Sequence, residues 1–157
     1  MKVQNMMTNN VKSCSPDTNL SAAASMMWDA DCGVLPVINE TGRVVGLITD
    51  RDIAIAVATM GRLASDIAVR EVTSGQVYAI SPDDDIKAAL KQMQQGKVRR
   101  LPVVNNEGIL LGILSLNDIV LRVEELRTKQ IPGLTHEEIV GTCKAIFEHR
   151  KQQAARA

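Results

Sequence analysis

Two segments carry residue types that can do chemistry, and both follow one pattern. Gly46-Leu-Ile-Thr-Asp-Arg-Asp52 and Gly112-Ile-Leu-Ser-Leu-Asn-Asp118 each read Gly, two apolar residues, a hydroxyl residue, two variable residues and Asp. Such a run ends a strand and opens a helix. The hydroxyl of Thr49 or Ser115 then stands at a helix N-terminus, where unpaired N–H groups favour an anion. Asp52 or Asp118 follows about one turn later, where a carboxylate can accept hydrogen bonds from two neighbouring hydroxyls, as on a ribose. Donors for a phosphate and an acceptor for a diol, beside apolar strand ends, describe a nucleotide site. The same residues also suit a plain helix cap, with the Asp supporting the hydroxyl residue. Duplication does not choose between these readings, because caps are duplicated too.

The elements that must position these residues are themselves repeated. An offset of 66 residues aligns Val11-Lys-Ser-Cys-Ser-Pro-Asp17 with Val77-Tyr-Ala-Ile-Ser-Pro-Asp83, and Leu35-Pro-Val37 with Leu101-Pro-Val103, without a gap. Each copy predicts a β-α-β-β-α unit. Short strands over 11–14 and 77–80 end at Ser-Pro. Ser15 and Ser81 are expected to cap helices that begin at the following proline. Leu20, Ala23, Ala24 and Met27, like Ile86, Ala89, Leu90 and Met93, form one apolar helical stripe per unit. Two hairpins follow, with Pro36 and Pro102 restricting their strands to an edge or an irregularity. Second helices are expected from about Asp50 to Met60 and from about Asn117 to Arg127. The connector 61–76 is expected to hold a short helix and matches the segment from Val3 to Asn10 weakly at the same offset. After a break at Ile131-Pro-Gly133, Thr135-His-Glu-Glu138 has the form of a capping box before an amphipathic helix containing Ile139, Cys143, Ile146 and Phe147. Its basic end, 149–157, is expected to fray.

The predicted architecture is therefore α/β (α+β): two β-α-β-β-α units packed about a pseudo-twofold axis, plus a C-terminal helix. Residues 1–62 form the first unit with its N-terminal segment, 63–127 the second unit with its connector, and 128–157 the linker and terminal helix.

Composition narrows the function. Lys plus Arg and Asp plus Glu both number 18, so no global field draws the chain to nucleic acid or anionic lipid. Aromatics are 2% of residues, which argues against an extended stacking platform for single strands. No apolar run of about 18 residues exists to span a membrane. The N-terminus also lacks an apolar signal core, so a cytoplasmic protein is expected. Cys14, Cys32 and Cys143 have no disulfide or zinc spacing. His136 and His149 lie outside the repeats and share no metal-ligand spacing. Asp83-Asp-Asp85 reads as a helix first turn. No nucleophile–base pair stands out, and an enzyme is not expected.

The tandem Gly-x-x-(Thr/Ser)-x-x-Asp, the Leu-Pro-Val before each, and the upstream Ser-Pro-Asp resemble a pair of cystathionine-β-synthase (CBS) domains, a Bateman module, over about residues 3 to 125. The resemblance implies a regulatory protein binding AMP, ADP or ATP, with S-adenosylmethionine as a further candidate, in two related clefts. It requires no cofactor. Asp52 and Asp118 would bind ribose hydroxyls, and Thr49 and Ser115 would approach ribose or phosphate. By the family pattern, one cleft pairs Ser13, Cys14 and Cys32 to Val34 with Ser115 and Asp118. The other pairs Ala79, Ile80 and Val98 to Arg100 with Thr49 and Asp52.

The clefts are not equivalent in sequence. Lys97-Val-Arg-Arg100 stands where the first unit has Asp31-Cys-Gly-Val34. Arg99 and Arg100 suit phosphate oxygens, as does Arg51, whose counterpart Asn117 is neutral. Which cleft these arginines serve stays open, because they lie near the axis. The resemblance also implies a homodimer forming a disc of four units, with output delivered in trans to a partner enzyme or transporter. The competing reading is an interaction module with empty clefts that dimerises through its helices. A redox sensor using Cys14 and Cys32 is a third.

Overall fold

Both repeats build the expected order of elements, and each unit leans on a segment that precedes the other. The computed structural model describes residues 1–73, 76–125 and 135–147. After a 3-10 turn at Val3–Asn5 come β1 (Thr8–Asn9), α1 (Leu20–Asp29), β2 (Val34–Ile38), β3 (Val44–Thr49) and α2 (Asp50–Thr59). The connector carries 3-10 turns at Ala64–Asp66 and Val69–Glu71. Then follow α3 (Ile86–Gly96), β4 (Arg100–Val104), β5 (Leu110–Ser115), α4 (Leu116–Glu125) and α5 (His136–Phe147). The Ile131-Pro-Gly133 break, the extension of the second-unit helix to Arg127 and the basic end 149–157 lie outside the described residues.

The hairpins β2–β3 and β4–β5 are antiparallel, each with a bulge near its turn. They meet back to back. Arg43 bridges Ile109, the Val44 N–H donates to the Gly108 carbonyl at 3.0 Å, and the Leu110 N–H donates to the Gly42 carbonyl at 3.3 Å. These contacts exchange under the 66-residue offset, so they mark the pseudo-twofold axis. Gly42 and Gly108 adopt φ of +78° and +82° in the two turns, a region that glycine enters without a Cβ clash.

Two expectations need correction. The first strand of each unit is a single parallel bridge, Cys14 to Val37 and Ile80 to Val103. Cys14 donates to the Pro36 carbonyl at 3.0 Å and accepts from the Ile38 N–H at 2.9 Å; Ile80 does the same with Pro102 and Val104. The next rung would need an N–H from Pro36 or Pro102, which proline lacks, so the ladder stops there. The first helices also begin at Leu20 and Ile86, four residues after the prolines, with Asn19 and Asp85 as caps. Ser15 and Ser81 instead close turns, accepting from Thr18 and Asp84. The carbonyls in those turns face outward. Pro16 and Thr18 accept from Arg70 and Val69, and Pro82 and Asp84 accept from Gln4 and Val3. Committed to these partners, they are unavailable to a helix.

This exchange shapes the core. The buried apolar residues form two clusters, one per unit. Val3 and Met6 lie in the cluster of the second unit with Leu90, Met93, Leu101 and Leu114. Ile67 and Val69, from the connector, lie in the cluster of the first unit with Leu20, Leu35 and Ile48. Burying each large side chain contributes about 1.5–3 kcal/mol. Val3–Asn5 and Val69–Glu71 are themselves 66 residues apart. β1 adds a third strand to β5–β4, pairing Asn9 with Gly112. A Cβ on Gly112 would sit 2.6 Å from the Thr8 carbonyl oxygen, so this crossing explains the glycine of the second motif.

α5 packs along α3. Lys87 pairs with Glu138 at 3.2 Å, Gln94 Nε2 donates to buried Thr142 at 2.7 Å, and Cys143 and Ile146 rest on the second cluster. Its predicted capping box is present: Thr135 N–H donates to Glu138 Oε2 and Glu138 N–H to Thr135 Oγ1.

Candidate functional site

The repeated motif forms a capping box in both units. Asp52 Oδ2 accepts from the Thr49 N–H at 3.0 Å and the Thr49 hydroxyl at 2.7 Å, while the Asp52 N–H returns a bond to Thr49 Oγ1 at 3.2 Å. Ser115 and Asp118 repeat this at 2.7, 2.7 and 3.1 Å. Two backbone donors at each helix start are thereby satisfied. In both boxes a single carboxylate oxygen, Oδ2, does the accepting. Among the described residues Oδ1 of Asp52 and of Asp118 has no hydrogen-bond partner.

A cleft of about 730 Å³ opens beside the first of these boxes. The first unit contributes Val34, Leu47 and residues 49–52; the second contributes Gln76, Tyr78 and residues 95–100. The cleft therefore joins Thr49 and Asp52 to Val98, Arg99 and Arg100 across the pseudo-axis. β3 ends at Thr49 and hands directly to α2, which points its N-terminal turn, with Arg51, at the opening. On the opposite side, α3 stops at Gly96. Lys97 takes a left-handed conformation (φ +50°), and the chain turns into β4 through Arg99 and Arg100.

The charge of this cleft is lopsided. Arg51, Lys97, Arg99 and Arg100 face two carboxylates, Asp50 and Asp52. None of the four cations has an ion-pair partner among the described residues. Under the repeat offset their counterparts are Asn117, Asp31, Gly33 and Val34, which carry no positive charge. Asp31 is also left-handed, at φ +47°, so the backbone is conserved between the units while the charge is inverted.

Other expected site residues fall elsewhere. Val34, expected beside Ser115 and Asp118, lies in the Thr49–Asp52 cleft, where it pairs with Thr49 across β2–β3. Ile80 is 4% exposed in the second core, and the Ala79 carbonyl accepts from Gln92 Nε2 at 2.7 Å; neither lines the cleft. Cys32 lines a separate cavity of about 500 Å³ between α1 and α2, with Met27, Trp28, Gly33 and Ile53. Asp50 borders both cavities. Cys14 is buried beside Ser13, its thiol pushed up to about 11 by desolvation, so it stays neutral and unreactive near neutral pH. Among the described residues no three His, Cys, Asp or Glu side chains gather as a metal cluster. No helix among them is long and apolar enough to cross a membrane.

The family model of the CBS domain matches residues 3–59 and 69–149. The chain belongs to the CBS domain family. It carries the CBS unit twice. A relative is the "CBS domain-containing protein YhcV" of Bacillus subtilis, 32% identical over 139 residues, spanning 87% of this chain and 97% of that one. The crystal structure of CBSX2 in complex with AMP is similar at a TM-score of 0.69 and 25% identity, covering 80% of this chain and 98% of that one. The CBS domain pair of protein MJ0100, in complex with 5'-methylthioadenosine and S-adenosyl-L-methionine, shares the fold at a TM-score of 0.73 and 21% identity, over 81% and 98% of the two chains.

Sequence reasoning passed over Tyr78, Gln76 and Gln95 of this CBS pair. Tyr78 lies two residues before Ile80 in a strand already assigned to the cleft, so its position was available; its direction depends on a ladder that stops early.

Proposed function

We propose that this CBS pair is a regulatory protein that binds a phosphorylated adenosine ligand, AMP, ADP or ATP, in the cleft between Thr49–Asp52 and Arg99–Arg100. One observation carries the reading: among the described residues, a carboxylate with an uncommitted oxygen and four cations without ion-pair partners line the same cleft, three of the cations from the unit opposite the carboxylate. Asp52 Oδ1 would accept the ribose hydroxyls, and Arg51, Arg99 and Arg100 would meet the phosphate as charge-assisted donors. A volume of about 730 Å³ is within the range of small-molecule sites, about 300–1,000 Å³. The AMP complex of CBSX2 supports the adenosine class. Asp118 with Ser115 would form the related second site, where Asn117, Asp31, Gly33 and Val34 stand in place of Arg51, Lys97, Arg99 and Arg100; S-adenosylmethionine is a further candidate there.

A homodimer fits the surface. Ile55 on α2 and Leu121 on α4 occupy equivalent positions and are 49% and 61% exposed, so both units present apolar residues on corresponding faces. Ligand binding would act by favouring one assembly or partner-bound state over another, through its differential affinity for the two. A specific observation also favours the alternative, a dimeric interaction module with empty clefts: the capping boxes account for the repeated motif without any ligand.

Calorimetric titration of nucleotide-stripped protein with AMP, ADP, ATP and S-adenosylmethionine tests the proposal. Saturable binding of a phosphorylated ligand is expected. Binding of none of the four would leave the interaction module as the reading.

A further inference from the structure

The residues that break the repeat are concentrated around one cleft, and one of them is aromatic. The chain has a single Tyr, a single Trp and a single Phe. Tyr78 lines the 730 Å³ cleft, whereas Trp28 lines the separate cavity beside α1. The counterpart of Tyr78 in the first unit is Lys12, and that of Gly96 is Ala30. These two departures are linked. A Cβ placed on Gly96 would lie 3.0 Å from Cδ2, 3.0 Å from Cγ and 3.1 Å from Cε2 of Tyr78. Near-equal distances to three consecutive ring atoms put that point over the ring face, since an in-plane approach would favour one atom. The last turn of α3 therefore takes the ring flat against it, and the missing methyl makes room. Gln76 Nε2 donates to the Tyr78 hydroxyl at 2.9 Å and holds the far end of the ring.

We infer that Tyr78, seated on Gly96, is the surface on which a purine base stacks in this cleft. The inference rests on the nucleotide reading given above and adds the base-recognising residue. Gly96 covers one face of the ring, which also packs on the core of the second unit; a planar ligand would meet the part of the ring that lines the cleft. A base stacked there would lie in the same cleft as Asp52, Arg51, Arg99 and Arg100, so base, ribose and phosphate would each meet a different chemistry. Aromatic stacking tolerates any base, so Tyr78 would strengthen purine binding without selecting adenine.

Tyr78 fluorescence reads the contact directly once Trp28, 87% exposed and outside this cleft, is replaced. In full-length Trp28→Phe protein, AMP titration should quench tyrosine emission in parallel with calorimetric binding. Adding Tyr78→Leu should weaken AMP by on the order of tenfold, while Tyr78→Phe keeps the ring and stays within about threefold. Where Tyr78→Leu does not fold, Gly96→Ala takes its place, because its methyl must displace the ring; weakened AMP binding is again expected. AMP binding with no quenching, or Tyr78→Leu and Gly96→Ala binding like the parent, overturns the stacking role and leaves the nucleotide reading intact. No AMP binding by the parent protein overturns both.

Discussion

Asp52 Oδ2 lies 2.7 Å from the Thr49 hydroxyl, so the carboxylate proposed to meet a ribose holds the first turn of α2. The cap uses Oδ2, and the proposed ribose contact would use Oδ1 of the same side chain. Replacing this Asp therefore removes a helix cap as well as a proposed ligand contact. Thr49→Ala and Asp52→Ala should each destabilise the fold by about 1 kcal/mol in urea unfolding. Asp52→Ala should in addition lose about 1.5–3 kcal/mol of AMP binding. Asp118→Ala is the control: it removes an equivalent capping box and should leave AMP affinity in the Arg99–Arg100 cleft unchanged. Equal affinity losses in both variants would mean that the carboxylates act only through the fold.

Arg99 and Arg100 make no ion pair among the described residues and border the same cleft as Asp52. Arg99→Ala and Arg100→Ala should each weaken AMP by about 1.5 kcal/mol, near the lower end for charged hydrogen bonds because the site is open to water. Adenosine, which has no phosphate, should be affected far less. The difference should shrink as salt is raised. Matching losses for AMP and adenosine would show that these side chains shape the wall and do not contact phosphate.

Val3 is fully buried in the second unit although it precedes the first. Val3→Ala should cost about 2 kcal/mol, and deletion of residues 1–9 should remove Val3, Met6 and the β1 edge together. Hydrogen exchange in the deletion variant should rise in α3, β4 and β5 before it rises in β2 and β3. Ile67→Ala, in the equivalent exchange, should show the reverse order. Uniform exchange in both variants would mean that the two clusters open as one.

Glu138 ties α5 to α3 and is held below its ordinary value of 4.5, first by the Thr135 N–H and then by Lys87. A carboxylate depressed in the folded state stabilises above its unfolded value, and that stabilisation is lost as pH falls through the lower folded value. α5 should therefore stay docked at neutral pH and loosen only on acidification below about 4.5, the ordinary carboxylate range. Exchange at 136–147 against pH reads this, and Glu138→Gln should flatten the step. An unchanged step in the variant would assign it to another group; Asp85, held down by the N-terminal ammonium, is the next candidate.

What the amino-acid sequence determined by itself was what spacing encodes. Apolar residues three and four apart specified the stripe of α3, short apolar runs on either side of Gly42 and Gly108 specified the hairpins, and a hydroxyl residue three before an acid specified the capping boxes at Thr49, Ser115 and Thr135. These are contacts between near neighbours, so residue order is enough. The tertiary structure decided everything that depends on a distant partner. The helices begin at Leu20 and Ile86 because the Pro16 and Pro82 carbonyls are claimed by Arg70 and Gln4, many residues away. Gly112 is required by the crossing of Thr8, and Gly96 by the ring of Tyr78. The arginines near the axis were legible from their type alone as candidates for a phosphate contact. Their assignment to the cleft of Thr49 and Asp52 follows from the left-handed turn at Lys97 and from the way two units, separate in sequence, close against each other.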